Sequence, residues 1–287
     1  MFDNELLKKR ELEIVKEFHE ICEKNGLKYT LAFGSMIGCV RHGGFIPWDD
    51  DIDVVMPYGD YERFCEIAAV ELDSKYILQN FITDKNYRYP FAKLRLKKSC
   101  LLSRLPSDCP WEDQGIYIDI FVAMYVPAST ILRSFINISN SILGQINKTF
   151  TFKRAMNTQR GNIGRCLLFI CLLCSKIVSH AYLINCLYKN ALKASRQNSC
   201  DLYLCDFNQP NMINRFRLGL DAFDDRLLMK FEDTCLYMPR RYDEIMRKFY
   251  GDYMQLPPEK DRKTHGFIYI DDTESYKEYM LRNKHVN

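Results

Sequence analysis

Residues 116–124, IYIDIFVAM, are apolar at every position but one, Asp119. Side chains alternate between the two faces of a strand, so a strand with one wet face reads polar at every second residue. This segment does not, and it is predicted to be a central strand covered on both sides. A chain built on such a strand has a layered core of sheet and helices. With 47% apolar and 27% charged residues in 287, global disorder is excluded, and the length suits one large domain or one domain with a sizeable insertion. Asp119 is the only charge between Gly115 and Tyr125. A lone buried charge is costly and needs a partner; a metal ion and a structural salt bridge both meet that need.

Around this strand the pattern is mixed. Leu7, Leu12, Val15, Phe18, Ile21 and Cys22 recur at helical spacing, which predicts a helix over 3–25 stopped at Asn25-Gly26. Alternation of Leu27, Tyr29, Leu31 and Phe33 predicts a strand. Gly34-Ser35 is expected to end it and a short helix to follow over 36–41, with His42-Gly43-Gly44 as a turn. Further strands are expected over 51–56, 76–82 and 91–97, and a helix from Tyr58 to Leu72.

Past Pro127 the character changes. Residues 128–200 carry ten basic residues and no Asp or Glu, in helical patterns. The apolar run Cys166 to Cys174 is far short of the ~20 residues that span a bilayer. Two readings fit: a helical cap packed on the rest of the domain, or a cap that also rests on an anionic membrane surface. After 200 the mixed pattern returns, with a strand expected over 232–238 and a helix from Arg240 to Tyr250 closed by Gly251. The chain therefore divides into a core over 1–127, a helical insertion over 128–200, and an α/β part over 201–287 that completes the core. The fold class is α/β (α+β), a mixed β-sheet flanked by helices.

Forty basic against thirty-seven acidic residues leave +3, too balanced for bulk nucleic acid as main partner. The start, MFDNELLKKRELEIVKEF, has no apolar export core, so a cytoplasmic protein with reduced thiols is expected. The twelve cysteines lie mostly in apolar runs and read as small core hydrophobes. Cys171 and Cys174 form a lone CxxC, with no second pair to complete a zinc site.

The chemistry is concentrated in YTLAFGSMIGCVRHGGFIPWDDDIDVVMPYGDY, residues 29–61. Four aspartates fall within five residues, Asp49, Asp50, Asp51 and Asp53. In an extended chain Asp49, Asp51 and Asp53 share one face and Asp50 points away. Like charges so close repel unless a cation sits among them, and a hard divalent ion held by carboxylate oxygens is the natural solution. A solvated acidic turn is the bland alternative, disfavoured because IDVVM puts the acids at the mouth of an apolar strand. Backbone N–H groups at Gly34-Ser35 can cradle a phosphate. Arg41, His42, Lys93 and Arg95 are candidate phosphate contacts, although Lys93 and Arg95 would equally suit an exposed charged face. Trp48 either stacks on a ligand or anchors its loop in the core. His265 follows a basic run from Lys260 that is either a solvated tail or a cover for the ligand.

The order of strand, Gly-Ser, helix, Asp-x-Asp strand and a distant single-Asp strand resembles the nucleotidyltransferase superfamily. The stretches GSMIGCVRHGGFIPWDDDIDV, GIYIDIF and FYGDYMQLPPEKDRKTH resemble, more narrowly, the LicD family of phosphocholine and related phosphotransferases, whose wider group includes fukutin. The resemblance covers roughly residues 27–125 and 230–270; Val122-Ala123 departs from it where many members carry a proline. It implies Mg2+-dependent transfer (Mn2+ as substitute) of a phosphorylated alcohol, typically phosphocholine, from a CDP-alcohol to a hydroxyl of a cell-surface polysaccharide or glycolipid, releasing CMP. By motif position it makes Asp51, Asp53 and Asp119 the metal ligands, and Gly34 and Ser35 the diphosphate contacts. Asp49 is then either a carboxylate beside those ligands or the base for the acceptor hydroxyl. Location at the cytoplasmic face of the membrane, with peripheral contact, agrees with this role. A true nucleotidyltransferase, moving an NMP group and releasing pyrophosphate, shares the same motifs and stays open.

Overall fold

The computed structural model describes residues 2–84, 87, 89–103, 114–139, 182, 185, 186, 188, 189, 201–204, 217–262, 264 and 266–283. Cys171 and Cys174, His265 and most of 128–200 lie outside the described residues. The expected cap is therefore represented chiefly by a helix over 130–139. Among the described residues no helix is long and apolar enough to cross a membrane.

The strands are β1 (Thr30–Leu31), β2 (Asp53–Pro57), β3 (Tyr76–Gln79), β4 (Ala92–Leu96), β5 (Cys100–Ser103), β6 (Tyr117–Tyr125), β7 (Asp201–Leu204), β8 (Arg217–Gly219), β9 (Arg226–Phe231), β10 (Thr234–Pro239) and β11 (Phe267–Asp271). Five helices matter below: α1 (Asn4–Lys24), α2 (Phe33–His42), α3 (Tyr58–Glu71), α4 (Tyr242–Tyr250) and α5 (Tyr276–Asn283). The principal sheet runs β1-β2-β6-β4-β3, and β7 joins β6 and β8. The long strand β6 is its centre. It pairs parallel with β2 on one edge; on the other it pairs antiparallel with β4 along its first half and with β7 along its second. Pairing on both edges and apolar cover on both faces explain why the strand carries almost no charge.

The two faces of β6 are chemically different. Ile118, Ile120, Val122 and Met124 join Val54, Met56 and Leu94 in the main core, with Phe18 and Phe64 from α1 and α3. Phe121 and Ala123 join Val55, Phe91, Leu202 and Phe223 in a second core on the opposite side. Odd-numbered Asp119 belongs to that second side by the two-residue period. Helix α1 is capped by Asp3, whose carboxylate accepts from the N–H groups of Glu5 and Leu6. Its buried stripe is Leu7, Glu11, Ile14, Val15, Phe18, Ile21 and Cys22. Phe18 meets Tyr29 and Phe64 edge-on, with ring centroids 4.8 and 5.0 Å apart.

Three local readings are corrected. The strand expected through Phe33 shortens to Thr30–Leu31, because α2 starts at Phe33 rather than at residue 36. Gly34-Ser35 therefore lies in the first turn of a helix rather than before it. The hairpin partner of the expected 232–238 strand, β9, was not legible. Its exposed and half-buried residues leave no clean alternation.

Candidate active site

Sheet register assembles the site. Asp53 is opposite Asp119 across the parallel β2–β6 pair, Asp119 is opposite Lys93 across β6–β4, and Lys93 is opposite Gln79 across β4–β3. Four polar side chains thus form one row across four strands, on the face away from α1 and α3. Neighbouring strands stand ~4.8 Å apart, so two carboxylates from residues 66 positions apart become neighbours with an ammonium beside them. Lys93 Nζ lies 2.5 Å from Asp119 Oδ1. It also sits 3.4 Å from the centroid of the Tyr117 ring, with Tyr89 and Phe91 at 5.4 and 5.5 Å. Asp119 has therefore the salt-bridge partner that its burial demanded. Burial pulls the Lys93 ammonium down from its ordinary value, and Asp119 opposes that pull.

Asp53 is buried at the first position of β2. Its backbone N–H donates to Ser35 Oγ at 2.9 Å, and its carbonyl accepts from Ala32 N–H at 2.9 Å. Burial, then the charges of Asp51, Asp119 and Asp49, push its carboxyl well above the ordinary range; Lys93 pulls it back. The expected one-face arrangement of Asp49, Asp51 and Asp53 needs a correction. Residues 49–52 are not strand; a turn in which Asp49 N–H donates to Ile46 O at 2.9 Å precedes them. Away from a pleat the two-residue rule has no force. Asp50 does not point away: Asp49, Asp50 and Asp51 each bring a carboxylate oxygen within 4.8 Å of the others.

Glycine makes this packing fit. A Cβ on Gly34 would lie 2.7 Å from Asp49 Oδ2, so the Asp49 carboxylate rests on the bare first turn of α2. Phe33, just before, has φ 43°, a strained value for a bulky residue, and packs its ring 4.9 Å from Phe121. Gly43, with φ 69°, closes α2 as a left-handed cap. Gly44 leaves room for Glu232, which accepts from Phe45 N–H at 2.9 Å. A hard divalent cation suits this donor set, which is oxygen throughout and acidic in excess. Asp49, Asp50, Asp51, Asp53 and Asp119 are the side chains that could hold it.

The remaining candidates separate into two groups. Arg95 is tied into the sheet: its Nε donates to Gln79 Oε1 at 2.6 Å and its Nη1 to Gly115 O at 2.7 Å. Arg41 and Trp48, both half-buried, form with exposed His42 a cluster of their own. The Arg41 guanidinium lies 5.8 Å from the Trp48 ring centroid and donates to His42 Nε2 at 3.0 Å and Tyr253 O at 2.8 Å. Burial and the Arg41 charge hold His42 below its ordinary pKa. Arg262, read from sequence only as part of a basic tail, lies 4.6 Å from the same Trp48 ring. His265 lies outside the described residues. Sequence reasoning missed Glu11, a buried carboxylate on α1 whose pKa is pushed far up by burial and by Asp51, Asp50, Asp49 and Asp119. The available signal was its place four residues after Leu7 and before Val15, inside an apolar stripe.

Comparison with known proteins finds similarity over this region. Residues 26–137 match the LicD/FKTN/FKRP nucleotidyltransferase domain, a segment that includes β1, α2, the aspartate run, Lys93 and Asp119. The lipopolysaccharide cholinephosphotransferase LicD of Haemophilus influenzae is 27% identical over 261 residues, covering 88% of this chain and 92% of the relative. The human ribitol 5-phosphate transferase FKRP is 29% identical over 79 residues, 28% of this chain and 16% of its own length. An uncharacterized Rickettsia typhi protein is 40% identical over 55 residues, 19% of this chain and 18% of its own. Over residues 26–137 the chain is thus similar to the LicD/FKTN/FKRP nucleotidyltransferase domain, and beyond that domain its similarity extends to a lipopolysaccharide cholinephosphotransferase.

Proposed function

We propose that this protein transfers a phosphorylated alcohol, phosphocholine in the first instance, from a CDP-alcohol to a hydroxyl of a cell-surface polysaccharide or glycolipid, with CMP released. The observation that carries the reading is the row Asp53–Asp119–Lys93 together with the Asp49–Asp51 carboxylate cluster. It is a concentration of carboxylates with a single buried ammonium, suited to a cation and its diphosphate partner rather than to a free anion. The extent of similarity to a cholinephosphotransferase supports the choice of alcohol; the shorter similarity to a ribitol 5-phosphate transferase makes ribitol phosphate the second donor to try.

Mg2+, or Mn2+ in its place, would be held by Asp51, Asp53 and Asp119, and when bound would neutralise diphosphate charge and ease departure of CMP. The protein's own groups do the rest. The acceptor oxygen attacks the phosphorus that bears the alcohol, the bond to the CMP oxygen breaks, and CMP leaves with that electron pair. The acceptor's proton passes to a carboxylate, for which we propose half-buried Asp49, the member of the acidic cluster that lies against the first turn of α2. Ser35 holds the backbone of Asp53 in register. Lys93 holds the Asp119 carboxylate in place through their ion pair. Arg41, His42, Trp48 and Arg262 offer cationic and aromatic contacts to the part of the donor that reaches them, and His265 is proposed from its sequence setting as a further donor contact. Most of the rate enhancement in such a reaction is positioning and electrostatic preorganisation.

Product analysis tests the reading. Purified protein is incubated with Mg2+, a glycan acceptor and each of CDP-choline, CDP-ribitol, CDP-glycerol and CTP, and CMP and pyrophosphate are measured. CMP from one CDP-alcohol, lost in Asp53→Asn, is the expected result. Pyrophosphate from CTP would replace the reading with nucleotidyl transfer, and no product with any donor would overturn both. Acceptors of this class are assembled at membranes, and the basic 128–200 segment fits peripheral contact at the cytoplasmic face. Flotation with anionic but not neutral liposomes is the expected result, and no flotation with either would dismiss that contact.

A further inference from the structure

Residues 43–49 carry the chain from the end of α2 to the acidic cluster, and they are held from outside residues 26–137, the segment that matches the domain family. One hold comes from α1: Asn4 Nδ2 donates to Asp49 O at 3.4 Å and Lys8 Nζ to Pro47 O at 3.0 Å. The other comes from the tip of the β9–β10 hairpin. Phe231 is opposite Thr234, so Glu232 and Asp233 form a two-residue turn. The Glu232 N–H donates to Gly43 O at 2.8 Å, and Glu232 Oε1 accepts from the Phe45 N–H at 2.9 Å. Between those two contacts Gly44 has no room for a side chain. A Cβ there would lie 1.9 Å from Glu232 Oε1 and 2.4 Å from its carboxylate carbon. The Phe45 ring also packs 5.2 Å from that of Phe231, at the end of β9.

Stability alone does not call for this glutamate. It is exposed, and its φ is 53°. At the first central position of a two-residue hairpin turn, positive φ is ordinarily supplied by glycine. A non-glycine residue held there is the kind of backbone outlier from which a functional role is inferred. What glutamate supplies and glycine does not is a carboxylate, and here that carboxylate holds backbone. One residue beyond Phe45, Ile46 O accepts from the Asp49 N–H at 2.9 Å. A single residue and a single hydrogen bond therefore separate the Glu232 clamp from Asp49.

We propose that Glu232 is a positioning residue for Asp49: from the β9–β10 hairpin it clamps Gly43 and Phe45 by its own N–H and carboxylate, and so fixes the 46–49 turn that places Asp49. Gly44 is bare because the clamping carboxylate occupies the space of its side chain. The catalytic consequence rests on the phosphotransfer reading above; the hold on the turn does not.

The test compares the full chain with Glu232→Gln, Glu232→Gly, Gly44→Ala and the Glu232→Gly/Gly44→Ala double variant. Three readouts are taken: hydrogen exchange of the Phe45 and Asp49 amides, kcat and KM for CMP release, and Tm. Glu232→Gln keeps an oxygen acceptor at the same reach and should behave as wild type. Glu232→Gly relieves the turn and should melt no lower than wild type, yet its Asp49 amide should exchange at least ~10-fold faster. Its kcat should fall about 10-fold with KM little changed, as expected for a displaced catalytic group. Gly44→Ala should reproduce that loss by expelling the carboxylate, and the double variant should be no worse than either single one, because both remove the same contact. Wild-type Asp49 exchange and kcat in Glu232→Gly would overturn the proposal. So would a Glu232→Gln as impaired as Glu232→Gly, additive losses in the double variant, or a fall in Tm that accounts for the lost activity. If wild type releases no CMP from any donor, the phosphotransfer reading fails on its own, and exchange of the Asp49 amide alone decides whether Glu232 holds the turn.

Discussion

Gly34→Ala separates the geometry of the site from the stability of the fold. The added Cβ would meet Asp49 Oδ2 at 2.7 Å, whereas ordinary contact begins at 3.4 Å. The carboxylate must therefore retreat by about 0.7 Å. The clash is with the end of a side chain, which can swing, and not with backbone. Alanine is also the better helix residue, by up to ~1 kcal/mol in a helix interior and less in a first turn. The two effects oppose each other, and net stability should stay within about 1 kcal/mol of wild type, a Tm change of a few degrees. Catalysis is less forgiving: a misplacement of about 1 Å can cost ~100-fold. We expect kcat/KM for CMP release to fall by about 10- to 100-fold. The assay is CMP release under saturating Mg2+, with a thermal melt of the same preparation. Gly38→Ala is the contrast. Its Cβ would lie 2.4 Å from Gly44 O and 3.1 Å from Ile46 N, backbone atoms that cannot swing, so it should cost about 1–3 kcal/mol or more and lower soluble yield. Full activity of Gly34→Ala at normal Tm would refute a role for the Asp49 position, and loss of fold would show that contact to be structural.

Further outcomes follow from other residues. Lys93→Met leaves Asp119 without its ammonium in a buried site, and should cost about 3–5 kcal/mol in urea melts, recovered in part by millimolar Mg2+ or Mn2+; an unchanged melt would show the pair to be dispensable. His19 is held below its ordinary pKa of 6.5, chiefly by burial, and shares a 2.7 Å hydrogen bond with Tyr29. The unfolded chain then takes up the proton first. Its contribution to stability is complete above pH 6.5 and is lost as pH falls toward the depressed folded value, at no more than about 1.4 kcal/mol per pH unit; His19→Gln should flatten that part of a stability–pH curve. Burial pushes the Cys39 thiol up to about 11 and the Cys100 thiol up to about 12, whereas Cys235 is exposed. A thiol reagent at pH 8 should label Cys235 in the native protein and reach Cys39 and Cys100 only on unfolding, as peptide mapping would show.

Much of this was legible in the chain itself. The apolar run around Asp119 defined a central strand because burial on both faces leaves no position for charge but a functional one. The stripe from Leu7 to Cys22 and the Asn25-Gly26 stop defined α1 because helix period and capping are local properties. The acidic run, Gly34 and Asp119 were visible as chemistry, since carboxylates in apolar surroundings demand a reason wherever they fold. Other features depended on neighbours. The face alternation of Asp49 to Asp53 failed because residues 49–52 leave a turn closed at Asp49 and are not yet strand. The start of α2 was misplaced because Phe33 adopts a strained φ, with its ring packed against Phe121, which no local pattern signals. That Lys93 partners Asp119, that Arg262 reaches Trp48, and that Glu11 is buried on α1 are facts of register and docking. Local sequence determined which groups this protein carries and the elements they ride on. Only the tertiary structure decided which of them meet, because strand pairing and helix packing join residues that no local periodicity relates.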